Sequence, residues 1–321
     1  MKAKMNNTTH IEGLLYQHSL ESKVSGPNSA NPGTEFITGT IEIATDNAVT
    51  NIVPVHFTYV TATTAKGTAN ATYATLMNIV NGTYGSVMKD GAEKAIKLRI
   101  DSAIGLNEFF SDRNGKEELV SVKRNEGGFV HVVNALDDNE ANRSTFDVDM
   151  IINSVAVKEG DPDAGTVDKA IIKGAIFDFR KSLLPVELSA TDPRAISYFE
   201  GLEVTPNSPV FTRLKGSQIS ETITRTIEEE SAFGAPSVRE VKSTRKDFVI
   251  TWAATTPYEW DSEDSILVSE LKDAITARET YLATLKKRND EYKANRGNAL
   301  GGAAAPKAAA TTAPAPGGFN F

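Results

Sequence analysis

The chain has 321 residues, of which 40% are hydrophobic and 24% are charged, a balance typical of a globular protein with room for two domains. Its formal net charge of −8 argues against a protein that coats duplex DNA through a generally basic surface, although it leaves room for a local basic groove. No apolar run reaches the roughly 18 residues of a membrane span, and the first residues lack the apolar stretch of a secretory signal. We therefore expect a cytoplasmic protein with no membrane partner.

The first 135 residues predict a mainly β unit. Segments rich in β-branched and aromatic residues alternate with turn formers; they lie at 13–24, 33–45, 51–63, 94–110 and 118–133. Between the third and fourth segments, Leu76, Ile79 and Val80 recur at helical spacing before Gly82. The predicted order of elements in residues 1–135 is therefore β-β-β-α-β-β.

A second unit, residues 144–260, is predicted to repeat that order. Its strand-like segments lie at 144–157, 169–179, 182–190, 209–228 and 238–254. After the third segment, Asp192 is expected to cap a short helix that begins at Pro193. A Gly-x-Ile stretch followed by Pro-Val-x-apolar occurs in both units, at Gly39 and Pro54 and again at Gly174 and Pro185. This weak similarity suggests a duplication.

In the C-terminal part the spacing of apolar residues becomes helical, and the last residues are rich in Ala, Gly and Pro. Leucine and isoleucine recur at helical spacing and predict an amphipathic helix over 266–293, within a segment of 262–296. We expect its apolar face to pack on the second unit; the alternative is a homo-oligomer formed through this helix. From 297 to 321, 17 of 25 residues are Ala, Gly or Pro, which predicts a disordered tail that ends in GGFNF.

Five strands with a helix between the third and fourth is the order of the OB-fold, a small barrel whose exposed face commonly binds oligonucleotides. In "GTEFITGTIEIATDNAVTNIVPVHFTYV", "RIDSAIGLNEFFSDRNGKEELVSVKRNEGGFV", "KGAIFDFRKSLLPVEL" and the terminal "GGFNF", the sequence resembles the single-stranded DNA-binding proteins that bacteriophages encode. The resemblance implies two OB-like five-stranded barrels and sequence-tolerant coating of single-stranded DNA in phage DNA replication or recombination. It also implies a tail that recruits replication or recombination proteins.

Single-strand binding needs aromatic faces for the bases and cations along the backbone. Such residues interleave most densely between 94 and 131. The predicted DNA-binding residues of the first unit are Tyr16, Lys23, Tyr59, Lys97, Arg99, Phe109, Phe110, Arg113, Lys116, Lys123, Arg124 and Phe129. Those of the second unit are Lys173, Arg180, Lys181, Arg213 and Lys215. For the cations on strands the alternative is a solvated barrel exterior.

The alternation of side chains along a strand predicts which aromatic residues are exposed and which lie in the core. Adjacent residues face opposite sides, so one of Phe109 and Phe110 is expected to be exposed and the other to lie in the core. Phe57 shares a face with valines and is predicted to be core, which leaves Tyr59 near the strand end as the stacking candidate. Phe177 and Phe179 share a face, so we expect both to be buried or both to be available, with burial favoured.

The sequence gives little support for metal binding or catalysis. The four histidines lack paired ligand spacing, and without cysteine a zinc site is not expected. The stretch "DPDAGTVD" lacks the ligand set of a calcium loop and is predicted to be a hairpin turn. There is no phosphate-cradling loop and no nucleophile elbow. We therefore predict a protein that is not an enzyme and has no cofactor or metal.

Three alternatives stay open. A structural phage component, such as a tail or capsid-associated β-rich protein, would share this composition without binding nucleic acid. An OB-like module that binds proteins or glycans is the second, and a smooth, uncharged barrel face would favour it. The third concerns the tail. In the tail, Phe319 and Phe321 have no core to join, so we predict that they dock on a partner protein; their other possible target is the chain's own DNA groove.

Overall fold

The computed structural model describes residues 5–113, 116–160, 167–229, 233, 237–263 and 265–298. Within this part the chain is mainly β with a long C-terminal helix, as predicted, and its strands form one 11-stranded sheet rather than two separate five-stranded ones. Most of the tail, including Phe319 and Phe321, and most of the "DPDAGTVD" stretch lie outside the described residues.

The strands are β1 (Asn7–His18), β2 (Glu21–Val24), β3 (Glu35–Ala44), β4 (Ile52–Thr61), β5 (Lys97–Arg113), β6 (Lys116–Val132), β7 (Ser144–Lys158), β8 (Lys169–Phe177), β9 (Leu183–Ala190), β10 (Val210–Glu229) and β11 (Ser237–Ala253). The helices are α1 (Ala71–Val80), α2 (Val87–Asp90), α3 (Pro193–Glu200) and α4 (Val268–Asn298). Two differences from the predicted elements stand out. The segment predicted at 13–24 is two strands, β1 and β2, and the four-residue α2 was not predicted.

The strands of the first half pair into a closed ring. β1 pairs with β3, β3 with β4 and β5 with both β1 and β6, all antiparallel, and the parallel pairing of β4 with β6 closes the ring. Its interior is filled by buried aliphatic side chains and by Phe57, which confirms the predicted core position of that residue. α1 adds Leu76 and Ile79 to this core, and Asn70 caps the helix by accepting a hydrogen bond from the Thr72 N–H.

The second half repeats the same pairing. β7 pairs with β8, β8 with β9, β10 with both β7 and β11, and the parallel pairing of β9 with β11 closes the second ring. α3 follows the third strand, as α1 does in the first ring. Asp192 caps α3 by accepting from the Arg194 N–H, and Pro193 opens the helix, as predicted. Phe199 of α3 is buried in the second core.

The repeated Gly and Pro stretches fall on the second and third strands of both rings. Pro54 pairs with Glu42, three residues beyond Gly39, whereas Pro185 pairs with Ala175, one residue beyond Gly174. The two rings therefore place the repeat on equivalent strands but in registers that differ by two residues.

The rings join through their first strands. β1 and β7 pair antiparallel from Asn7 with Val148 to Ile11 with Ser144. The fourth and fifth strands of each ring extend as a hairpin, and we call residues 105–124 of β5 and β6 the first arm. The first arm reaches the second ring, where Lys123 donates to the Glu187 carbonyl on β9. In return β10 reaches Asn51, whose side chain donates to the Gln218 carbonyl.

The helix α4 packs on both halves. At its start Leu271 and Ala274 are buried against Phe177 and Phe211 of the second ring. Farther along, Arg278 forms an ion pair with Glu108 on the first arm. The prediction of packing on the second unit therefore describes the start of α4, and the remainder runs along the arm of the first ring. The helix begins at Val268, two residues later than predicted, where Asp261 accepts a hydrogen bond from the Val268 N–H.

Candidate nucleic-acid interface

An aromatic pair, with Tyr59 exposed and Phe36 half-buried, lies on the outer surface of β3 and β4. The rings of Phe36 and Tyr59 have centroids 4.5 Å apart, and Tyr59 is 44% exposed. The Tyr59 hydroxyl lies 3.3 Å from the Ser25 hydroxyl. Lys23 pairs with Phe36 across β2 and β3, so it shares this face, where it forms a 2.7 Å ion pair with Glu21. Two predicted residues, Lys23 and Tyr59, are thus brought together around a ring that the prediction omitted.

Polar side chains continue this surface across β4 to β6. Thr40 and His56 are hydrogen-bonded at 3.1 Å, Thr58 donates to Glu126 at 3.0 Å, and Arg124 donates to the same carboxylate at 2.9 Å. Burial, and then the nearby Arg124 guanidinium, lower the pKa of His56, so the imidazole is neutral at pH 7. We call Phe36, Thr40, His56, Thr58, Tyr59 and Arg124 the front strip.

The first arm separates the two adjacent phenylalanines. Phe110 faces α4, where the Lys286 ammonium lies 5.6 Å from its ring centroid. Phe109 points to the other side with its cross-strand partner Val120, and it is 42% exposed. One phenylalanine is therefore exposed, as predicted, but the other is covered by a helix rather than by the core of the ring.

Lys123 is turned toward the second ring. Besides its bond to the Glu187 carbonyl, its ammonium lies 4.1 Å from the centroid of the Phe248 ring. Burial lowers the pKa of Lys123 to about 8. This predicted DNA-binding residue thus contributes a contact between the rings. Lys116, in contrast, is exposed at the far end of the arm, next to Arg113, whose side chain lies outside the described residues.

A second group of charged and aromatic side chains lies on β7, β10 and β11. Arg213 donates twice to Asp147, at 2.8 and 2.6 Å, and this ion pair raises the pKa of Arg213. Lys215 lies 3.6 Å from the same carboxylate and 5.2 Å from the centroid of the Trp252 ring. Trp252 is 48% exposed. Arg213 and Lys215 therefore lie together, beside an aromatic ring that the prediction missed.

The remaining residues of the first ring lie on β1, β5 and β6. Phe129 is 70% exposed, and Arg99 lies 3.7 Å from Asp101, which pairs with Phe129. Lys97 donates to the Asn134 carbonyl at 3.3 Å. Tyr16 is half-buried at a register shift of β1. None of these four predicted residues belongs to the front strip.

The turn between β8 and β9 corrects the expectation for Phe177 and Phe179. β8 ends at Phe177, which is buried, whereas Phe179 is exposed. They do not share a face because the Asp178 carboxylate accepts from the backbone N–H groups of Arg180 and Ser182 and turns the chain. Arg180 lies over the Phe179 ring and Lys181 follows it, while Lys173 on β8 forms a 3.6 Å ion pair with Glu187.

The sequence prediction missed five residues of these surfaces, namely Phe36, Thr40, His56 and Thr58 of the front strip, and Trp252. Phe36 and Tyr59 are both aromatic and close to strand ends, so a cross-strand pairing of the second and third strands would have signalled their contact. Trp252 gave no such signal because its neighbour Lys215 is 37 residues away in the sequence.

The described residues contain neither a metal-binding cluster nor a membrane-spanning helix. In the ranges given above, no group of three or more His, Asp or Glu side chains is placed to hold a metal ion. Of the helices in the described part, none combines the length and apolarity that crossing a membrane requires.

The chain is similar to a protein-family model and to a solved structure. A family model described as YorF matches residues 6–288. No curated protein matches the chain by sequence. Among solved structures, a crystal structure of a deletion mutant of the single-stranded DNA binding protein from Thermus aquaticus is similar, with a TM-score of 0.44 and 7% sequence identity. The similarity covers 80% of this chain and 97% of that chain.

Proposed function

This chain belongs to the YorF family, and we propose that it is a sequence-tolerant single-stranded DNA-binding protein. It coats single strands by base stacking and phosphate contacts during phage DNA replication or recombination in the cytoplasm of a host bacterium. It binds DNA without catalysing a reaction and without a cofactor.

The strand pairing supports two OB-like barrels. In each ring the first strand pairs with the second and fourth, the third pairs with the fifth in parallel, and a helix lies between the third and fourth strands. A five-stranded barrel of this kind commonly presents the face of its second and third strands to oligonucleotides. In the first ring these strands are β3 and β4, the ones that carry most of the front strip.

The observation that carries the proposal is the aromatic pair of Phe36 and Tyr59 on this face. Exposed rings on a sheet provide stacking surfaces for bases of any sequence, each contributing about 1 to 3 kcal/mol. Arg124 adds a cation to the strip, and neutral His56 adds no charge, so the strip offers stacking and hydrogen bonding with modest charge. Phe109 on the first arm extends the stacking surface beyond the barrel.

Fluorescence anisotropy with a labelled oligo-dT of about 30 nucleotides tests this function, since that length exceeds the site of one OB-fold. We expect binding that weakens as salt rises, because phosphate contacts release counterions. Tyr59→Ala should weaken binding about 5-fold or more, whereas Phe179→Ala, which removes an exposed ring outside the front strip, should not. Absence of binding at low salt would refute the function. Regular rings or tubes formed without DNA would then support a structural phage component.

The tail is proposed to recruit a replication or recombination protein through Phe319 and Phe321. A tether rich in Ala, Gly and Pro would keep these rings accessible to a partner. Deletion of residues 317–321 should abolish capture of the partner in a pull-down while leaving DNA affinity unchanged. Tighter DNA binding after the deletion would instead indicate that the tail occupies the chain's own groove.

A further inference from the structure

Phe129 and Trp252 hold equivalent positions in the two rings. In each ring the pairing of the fourth and fifth strands has one register shift, close to the N-terminal end of the paired part of the fourth strand. The last pair before the shift is Asp101 with Phe129 in the first ring and Lys215 with Trp252 in the second. Both aromatic side chains are exposed, by 70% and 48%. The repeated architecture thus carries one large exposed ring at the same place in each half.

The two aromatic residues lie on one continuous sheet face. Lys215 pairs with Asp147 on β7, which pairs with Thr8 on β1. Two residues along β1, on the same face, His10 pairs with Asp101 on β5. We call this row the back face; its members are Trp252, Lys215, Asp147, Thr8, His10, Asp101 and Phe129. From β11 to β6 it crosses six strands, about 24 Å at the usual spacing of neighbouring strands.

Cations accompany the rings on this face. Arg213 and Lys215 lie beside Trp252, where both contact the carboxylate of Asp147. Arg99, two residues before Asp101 on β5, lies on the same side as Phe129. Aromatic rings with adjacent cations are the components of sequence-tolerant single-strand sites, where bases stack and phosphates pair with Lys and Arg.

We propose that the back face is a second contact for single-stranded DNA, so that one strand bound at the front strip continues along β6 onto Phe129 and Trp252. The inference rests on the proposed function and extends its footprint from one face of the first ring to both rings. β6 carries Arg124 of the front strip and Phe129 of the back face, so it connects the two surfaces. Crossing about 24 Å requires about 7 nucleotides at 3.4 Å each.

Oligo-dT of two lengths separates the two surfaces, because an 8-mer fits one OB-fold site and a 40-mer is long enough for both. For the 40-mer, the double variant Phe129→Ala with Trp252→Ala should weaken binding by about 25-fold, or about 5-fold per lost stacking ring. For the 8-mer the same variant should bind like the wild type, whereas Tyr59→Ala should lose affinity for both lengths. Phe179→Ala serves as the matched control.

Intrinsic fluorescence gives a second readout. The 40-mer should quench tryptophan emission in the wild type, and Trp252→Phe should remove most of that quenching while keeping affinity. The inference is overturned if the double variant binds the 40-mer like the wild type, if it loses affinity for the 8-mer equally, or if Trp252→Phe leaves the quenching intact. If wild-type protein binds neither length, the proposed function itself fails, which is a different result.

Discussion

The two rings share one strand pairing but differ in what covers the face of their second and third strands. In the first ring, the outer surface of β3 and β4 carries half-buried Phe36 and exposed Tyr59, and the polar contacts of the strip stay within that ring. In the second ring, the equivalent face of β8 and β9 receives Lys123 from the first arm, which binds the Glu187 carbonyl and covers Phe248. The same architecture therefore gives one open face and one occupied face.

The difference arises from the first arm and from the helix that holds it. Glu117 accepts hydrogen bonds from Lys286, Asn289 and Lys293 of α4, at 2.7, 2.6 and 2.7 Å. Lys286, followed by Lys293, lowers the pKa of Glu117 to about 2. α4 is thus attached to the arm at neutral pH. Two rings with the same strand pairing therefore differ at one face, and α4 packs on both the second ring and the first arm.

The largest expected effect is on stability, and it comes from breaking the attachment of α4 to the first arm. Arg278→Met leaves Glu108, whose side chain is 2% exposed, without its ion-pair partner, and should lower the free energy of unfolding by about 3 kcal/mol. Urea denaturation measures this. Lys287→Met, which removes a solvated i,i+4 pair on the same helix, should change stability by less than about 0.5 kcal/mol. Equal effects of the two variants would contradict a clamping role for Arg278, and adding Glu108→Leu should recover part of the loss.

Removing Lys123 from the face of β8 and β9 should have a smaller effect on stability. Lys123→Ala removes a hydrogen bond from an ammonium and a cation–π contact, so we expect a loss of about 1 to 2 kcal/mol in thermal or urea unfolding. Lys173→Ala, on the same face but in a solvated pair with Glu187, should cost less than about 0.5 kcal/mol. If Lys123→Ala proves as mild as Lys173→Ala, the arm does not occupy this face in solution.

The same contact predicts a pH dependence. The pKa of Lys123 falls from 10.5 to about 8 on folding, so below pH 8 both states are protonated and the burial penalty is present in full. Between pH 8 and 10.5 the unfolded chain binds more protons, so stability should rise with pH, by on the order of 1 kcal/mol. Lys123→Met should lack this increment. A pH profile of unfolding that is identical in the two proteins would argue against a buried ammonium.

The smallest effect concerns the open face. Glu126 holds Arg124 at 2.9 Å and places a negative charge beside the front strip. Glu126→Gln keeps an acceptor for Thr58 and should raise oligo-dT affinity about 2- to 3-fold, whereas Glu187→Gln on the second ring should leave it unchanged. Anisotropy titrations at low salt can resolve this difference. Weaker binding by Glu126→Gln would show that the carboxylate contributes to the site rather than opposing it.

Local patterns predicted much of the architecture because strands and helices leave periodic signals. The alternation of β-branched residues located the strands, and Asp192 with Pro193 located α3. The pattern failed where a turn intervened, since Phe179 has strand spacing from Phe177 but follows a chain reversal at Asp178. It also could not distinguish Phe109 from Phe110, because neither residue of the first arm belongs to the core of the first ring.

The sequence by itself determined the mainly β class and most of the order of elements, since propensity and periodicity are local properties. Only the tertiary structure decided which cations are accessible. Lys123 and Arg124 are adjacent in sequence. Lys123 nevertheless binds the second ring, whereas Arg124 lies on the front strip. Likewise, Trp252 and Phe129 acquire their equivalence from strand register. Strand register and contacts between the rings depend on residues far apart in the chain, so local sequence patterns do not predict them.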